Sequence, residues 1–141
     1  MPGTEVPAQA RLLLDGAVGD RFWLRRTLLV MPSGEAVSDN TVVTRQGADP
    51  CVDAAVADRS RPIGPALSGA GLVGLRRVVR AGTAQWWREG SATVTCASKT
   101  YVLPTLRDGA PALYVRERFH PAYVPAATEP AGGPPVGTPR P

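Results

Sequence analysis

Glu117 is the residue whose setting points most directly to chemistry. It stands in ALYVRERFH, residues 112–120, where the side chains of an extended segment alternate between two faces. Leu113, Val115, Glu117 and Phe119 form one row; Ala112, Tyr114, Arg116 and Arg118 form the other. A carboxylate among Leu, Val and Phe needs a partner or takes up a proton, because desolvation disfavours its charged form. Such a group suits acid–base work, and the structural alternative is a Glu pinned by an arginine. DRFWLRRTLLVM, residues 20–31, supplies candidate arginines. Phe22, Leu24, Arg26, Leu28 and Val30 share one row there; Trp23, Arg25, Thr27 and Leu29 share the other. Either Arg25 or Arg26 can point inward, and alternation sets Arg26 in the more apolar row. An inward guanidinium binds a carboxylate through two parallel hydrogen bonds.

Other chemistries find little support. The two cysteines, Cys51 and Cys96, stand outside any CxxC pair, and His120 is the single histidine. That is too few ligands for a zinc site, so no metal is expected and both thiols read as buried and reduced. Asp53 and Asp58 lack the spacing of a metal loop. Ser33, Ser68 and Ser98 lack a nucleophile-elbow setting. No Gly-rich phosphate loop follows a strand. Trp86 and Trp87 read as core and rim packing.

The elements that must position these residues follow from turn and alternation signals. Residues 20–31 and 36–45 read as two strands joined by Pro32-Ser33-Gly34-Glu35, where Pro presets φ and Gly accepts the left-handed position. Residues 92–103 and 112–120 read as a second hairpin across a turn carrying Asp108-Gly109. Asp49-Pro50 opens a helix over residues 51–59, with Asp as cap and Pro at the first helical position. Residues 10–15 suggest one or two helical turns, and residues 65–71 a short ambiguous segment. Residues 72–87 read as a strand from their β-branched and aromatic content. Together these predict an α+β domain: an antiparallel sheet with a few short flanking helices.

A chain of 141 residues, 43% hydrophobic and 20% charged, suits one soluble domain. No apolar run approaches the roughly 20 residues of a membrane span. The net charge is +4, and fifteen of the sixteen basic residues are Arg, with Lys99 the exception. They are scattered, with no groove-reading helix, so no nucleic-acid partner is expected. Residues 1–10 carry no apolar signal region, which makes a cytoplasmic location the expectation. The last 17 residues hold six Pro and three Gly. Residues 125–141 are therefore read as a disordered tail behind a domain of residues 1–124, since they bury too little apolar surface to order.

Taken in order, the WLR strand with its hairpin return (residues 21–43), the Pro62-Ile63-Gly64 break and DGAPALYVRERFHP (residues 108–121) resemble the chorismate pyruvate-lyase family. The resemblance spans roughly residues 20–123. It implies an antiparallel sheet with helices enclosing a small-ligand cavity. It also implies an enzyme that eliminates pyruvate from chorismate, a small-molecule carboxylate substrate, leaving 4-hydroxybenzoate and using no cofactor. On that resemblance Glu117 is the acid that donates a proton to the departing group. Arg25 holds a substrate carboxylate, with Arg26 the one-residue register alternative and Lys99 a helper for the second carboxylate. Three positions depart from the family's pattern: Asp39-Asn40 stands where Gly-Arg is usual, and Arg116 where Thr precedes the family's Glu. Residues 12–37 also resemble the UTRA-type effector-binding domains of bacterial transcription regulators. That resemblance implies the alternative, a non-catalytic domain that binds a small aromatic acid.

Overall fold

The computed structural model describes residues 5–69, 76–87 and 93–126. Its elements run α1 (Ala8–Leu13), β1 (Phe22–Val30), β2 (Ala36–Arg45), α2 (Pro50–Ala57), α3 (Ile63–Gly69), β3 (Arg77–Trp87), β4 (Thr93–Pro104) and β5 (Pro111–Phe119). The five strands form one sheet in the order β1-β2-β5-β4-β3, every neighbouring pair antiparallel. The α+β class expected from sequence is what the chain adopts.

Local chemistry accounts for the elements. Gly34, at φ 87°, closes the β1–β2 turn, where the Met31 amide donates to the Glu35 carbonyl at 2.8 Å. Asp49 caps α2 by accepting from the Cys51 amide at 2.9 Å and the Val52 amide at 3.4 Å, with Pro50 behind it at a position that needs no donor. At the β4–β5 turn the Thr105 hydroxyl and the Ala110 amide both donate to the Asp108 carboxylate. Leu14 caps the C-terminus of α1, and a left-handed Asp15 follows it. The Pro-Ile-Gly segment read as a break instead opens α3, because Pro65 falls in the first helical turn, where its missing amide costs nothing. Residues 72–75, the start of the predicted β3, and residues 127–141, most of the predicted tail, lie outside the described residues.

The sheet has two unlike faces. α2 and α3 cover one of them, packing Val52, Val56 and Leu67 against Val42, Tyr101, Leu113 and Val115. Among the described residues, α1 covers only one end of the other face, where Ala10 and Leu14 meet Val43 and Tyr114, with Leu24 alongside. Cross-strand partners share a face, so the pairing register sorts the remaining side chains. The row Arg25–Val42–Val115–Tyr101 lies under α2 and α3, and the next row of that face is Thr27–Asn40–Glu117–Lys99. On the opposite face, beyond α1, run Arg26–Thr41–Arg116–Thr100–Arg80 and Leu28–Asp39–Arg118–Ser98–Gly82. Cys96 is buried but Cys51 is exposed. The reading of two buried thiols is thus corrected: Cys51 sits in the first turn of α2, whose buried residues are Val52, Ala55 and Val56. Among the described residues, no helix is long and apolar enough to cross a membrane.

Candidate functional site

Glu117, Lys99 and Arg25 lie on the helix-covered face, and Arg26 does not. Glu117 and Lys99 are direct cross-strand partners. The Tyr101 hydroxyl donates to Glu117 Oε1 at 2.9 Å, and the Lys99 ammonium stands 5.9 Å from the centre of the Tyr101 ring. Burial, and then the charge of Glu117, push the Tyr101 hydroxyl far above its usual range, so it remains a proton donor to the carboxylate.

Arg25 shares their face but is engaged elsewhere. Its guanidinium donates to the carbonyls of Asp58 at 2.9 Å, Arg61 at 3.0 Å and Ala55 at 3.5 Å. Those oxygens belong to the C-terminal turn of α2 and the segment after it, whose acceptors have no partner within the helix. Arg25 is the clasp that holds α2 to β1, with its charge at the negative end of the helix. Arg26 projects from the opposite face and grips Asp39 with two parallel bonds, Nε to Oδ1 at 2.9 Å and Nη2 to Oδ2 at 2.6 Å. Asp39 holds the Arg26 guanidinium above its usual value. The four residues picked from sequence therefore divide into a Glu–Lys pair, a helix clasp and an ion pair on the far side of the sheet.

That far side carries an arrangement the strand pattern does not advertise. Arg116 and Arg118, two residues apart on β5, project together onto the face that no described element covers beyond α1. They form the shared wall of two hollows. The larger, about 320 Å³, is completed by Leu24, Arg26, Asp39, Thr41, Gln85 and Trp87, with Glu5 at its rim. The smaller, about 170 Å³, is completed by Arg80, Gly82, Ser98 and Thr100 among others. The ion pairs among the described residues are Arg26–Asp39, Arg45–Asp20 and His120–Glu35. None of them engages Arg116, Arg118 or Arg80.

Arg118 is the unusual member. Its Nη1 donates to the Gln85 carbonyl at 3.3 Å, while its Nε is buried with no hydrogen-bond partner. Burial, reinforced by Arg116, lowers its pKa from the ordinary arginine value. A guanidinium in such a place stays charged all the same. The side chain is part-buried, and its Nε is a buried donor left unused, which costs the fold some stability. In chemical terms the arrangement can hold an anion: two guanidinium groups on the wall of one hollow offer several N–H donors to a carboxylate or phosphoryl group. Trp87, 59% exposed, supplies an aromatic wall beside it.

The residue spacing carries one signal that could have found this site. Two arginines at i and i+2 of a strand must share a face. They stand in the row opposite the one that holds Glu117 and the apolar side chains. Comparison with protein-family models, curated proteins and solved structures finds no match for this chain.

Proposed function

We propose that this domain is a binding module for a small aromatic carboxylate, held on the open face of the sheet by Arg116 and Arg118. The observation that carries the reading is that Arg116 and Arg118, neither of them paired with a described acid, wall one hollow together. A ligand carboxylate would accept from the guanidinium groups that wall the hollow and offset the repulsion between the two arginines. The larger hollow is close to the lower end of the roughly 300–1,000 Å³ typical of small-molecule sites, and Trp87 and Leu24 give it an apolar side for a ring. Asp39 does not oppose an anion there as a bare charge would, because Arg26 already neutralises it with two bonds.

The elimination of pyruvate from chorismate asks for something else. It needs Glu117 as a proton donor and Arg25 as a carboxylate holder in one cavity. Arg25 spends its donors on three backbone carbonyls, and freeing it would unclasp α2. Binding without turnover is the simpler fit to this geometry.

Calorimetric titration with benzoate and 4-hydroxybenzoate tests the proposal, alongside a pyruvate assay with chorismate. The expected results are saturable binding, at least tenfold weaker in Arg118→Ala and Arg116→Ala, and no pyruvate. Release of pyruvate and 4-hydroxybenzoate, lost in Glu117→Gln, would replace this reading with the lyase. Failure of both acids to bind would remove the aromatic-carboxylate reading.

A further inference from the structure

We infer that the smaller hollow is a phosphoryl subsite, so that the ligand is an aromatic acid carrying a phosphate ester. This rests on the aromatic-carboxylate reading of the larger hollow for the ring, but the subsite has its own observations.

The two hollows differ in the signs of their walls. Around the larger one, three arginines face two carboxylates, Asp39 and Glu5. Around the smaller one stand Arg80, Arg116 and Arg118, with no Asp or Glu among the described residues that line it. Three guanidinium groups on one stretch of sheet repel one another and lower stability unless a counter-charge sits among them. The register explains why they converge. Arg116 and Arg80 both flank Thr100, one from β5 and one from β3, while Arg118 flanks Ser98 in the next row. The floor between them is kept low by small side chains. A Cβ built on Gly82 meets nothing within 4 Å, so the space above it is open.

The donor count separates a phosphoryl group from a second carboxylate. Three guanidinium groups and the hydroxyls of Ser98 and Thr100 approach from three strands. A carboxylate has two oxygens, suited to one planar fork; a phosphoryl group has three terminal oxygens spread tetrahedrally, and can use donors from several directions. At about 170 Å³ the hollow is small beside ordinary ligand pockets, so it suits a compact anion rather than a ring. Because Arg116 and Arg118 wall both hollows, one ligand can place its ring and carboxylate in the larger and its phosphate in the smaller.

The test compares calorimetric affinities for benzoate, 4-(phosphonooxy)benzoate and inorganic phosphate, with wild type, Arg80→Ala and Ser98→Ala. Arg107→Ala, in the β4–β5 turn away from both hollows, serves as the charge control. Wild type should bind the phosphate ester at least 50-fold more tightly than benzoate. Arg80→Ala should cut that ratio at least tenfold and Ser98→Ala by a few fold, while Arg107→Ala leaves it unchanged. Inorganic phosphate should bind weakly and lose affinity in Arg80→Ala. Should Arg80→Ala prove misfolded by circular dichroism, Arg80→Gln takes its place. Equal affinities for ester and benzoate, or a ratio that ignores Arg80, would overturn the subsite and leave the aromatic site standing. Arg80-dependent binding of phosphate without binding of benzoate would keep the subsite and remove the aromatic site. No binding by any of the three would remove both.

Discussion

Replacing Arg25 by alanine should weaken the fold. Two of its bonds to carbonyls, at 2.9 and 3.0 Å, have good length; the third, at 3.5 Å, adds little. A hydrogen bond involving a charged group contributes about 1.5–3 kcal/mol. The bond to Asp58 is partly buried and takes a mid-range value, about 2 kcal/mol, while the bond to Arg61 is exposed and takes about half that. The charge at the α2 C-terminus adds a few tenths of a kcal/mol at that exposure. The sum is a loss of about 3 kcal/mol. For a domain of this size 1 kcal/mol corresponds to roughly 3–5 °C, so the midpoint should fall by about 10 °C. Arg25→Lys keeps the charge but reaches one carbonyl at a time, and should lose about half as much. Thermal and urea unfolding followed by circular dichroism would measure both. A midpoint within 2 °C of wild type in Arg25→Ala would refute the clasp, and would restore Arg25 as a side chain free to serve a ligand.

Three other expectations can be checked directly. Asp49→Ala removes the acceptor of two α2 amides and should cost about 1 kcal/mol in urea unfolding, with Asp49→Asn losing much less. A thiol reagent should label Cys51 promptly in the native protein and Cys96 only on unfolding, because Cys96 is buried and burial also pushes its thiol up; two fast thiols would contradict the packing. Asp108 is held below the usual carboxylate value by the Thr105 hydroxyl and then the Ala110 amide. Its contribution is therefore present above the ordinary Asp value of about 3.9 and lost as pH falls through the lowered one. Amide exchange in the β4–β5 turn should quicken over that acidic window in wild type, and should show no such step in Asp108→Asn.

Both hairpins were legible in the sequence because their turns carry their own chemistry. Pro32 to Glu35 and Asp108-Gly109 need only local backbone and side-chain bonds, and alternation then places Glu117 in the row of Leu113 and Val115. The site was less legible, because it depends on which strands become neighbours. Nothing near Arg116 in the chain says that β2 will lie on one side and β4 on the other, or that β3 will bring Arg80 to the same row. Arg25 shows the same limit at closer range. Its face follows from the strand, but its three acceptors come from 30 to 36 residues further on, at the end of a helix. Arg26 stands in the more apolar row of β1, yet that row lies on the face away from α2 and α3. β1 is an edge strand, and Leu28 and Val30 of that row are more than half exposed. An apolar row on an uncovered edge does not report which way is in.

The β2–β5 pairing has a consequence for how binding would be felt. Six residue pairs, from Ser38 opposite Phe119 to Val43 opposite Tyr114, join an N-terminal hairpin to a C-terminal three-stranded meander. Each half pairs strands that are neighbours along the chain, but the seam joins residues 71 to 81 apart, so its loop-closure cost is the larger. The larger hollow lies across this seam, with Asp39 and Thr41 on one bank and Arg116 and Arg118 on the other. A molecule seated there would act as a rivet. At a hundred times its dissociation constant it would add about 2.7 kcal/mol to the resistance of the two halves to separation, and the amides of both banks would slow their exchange together.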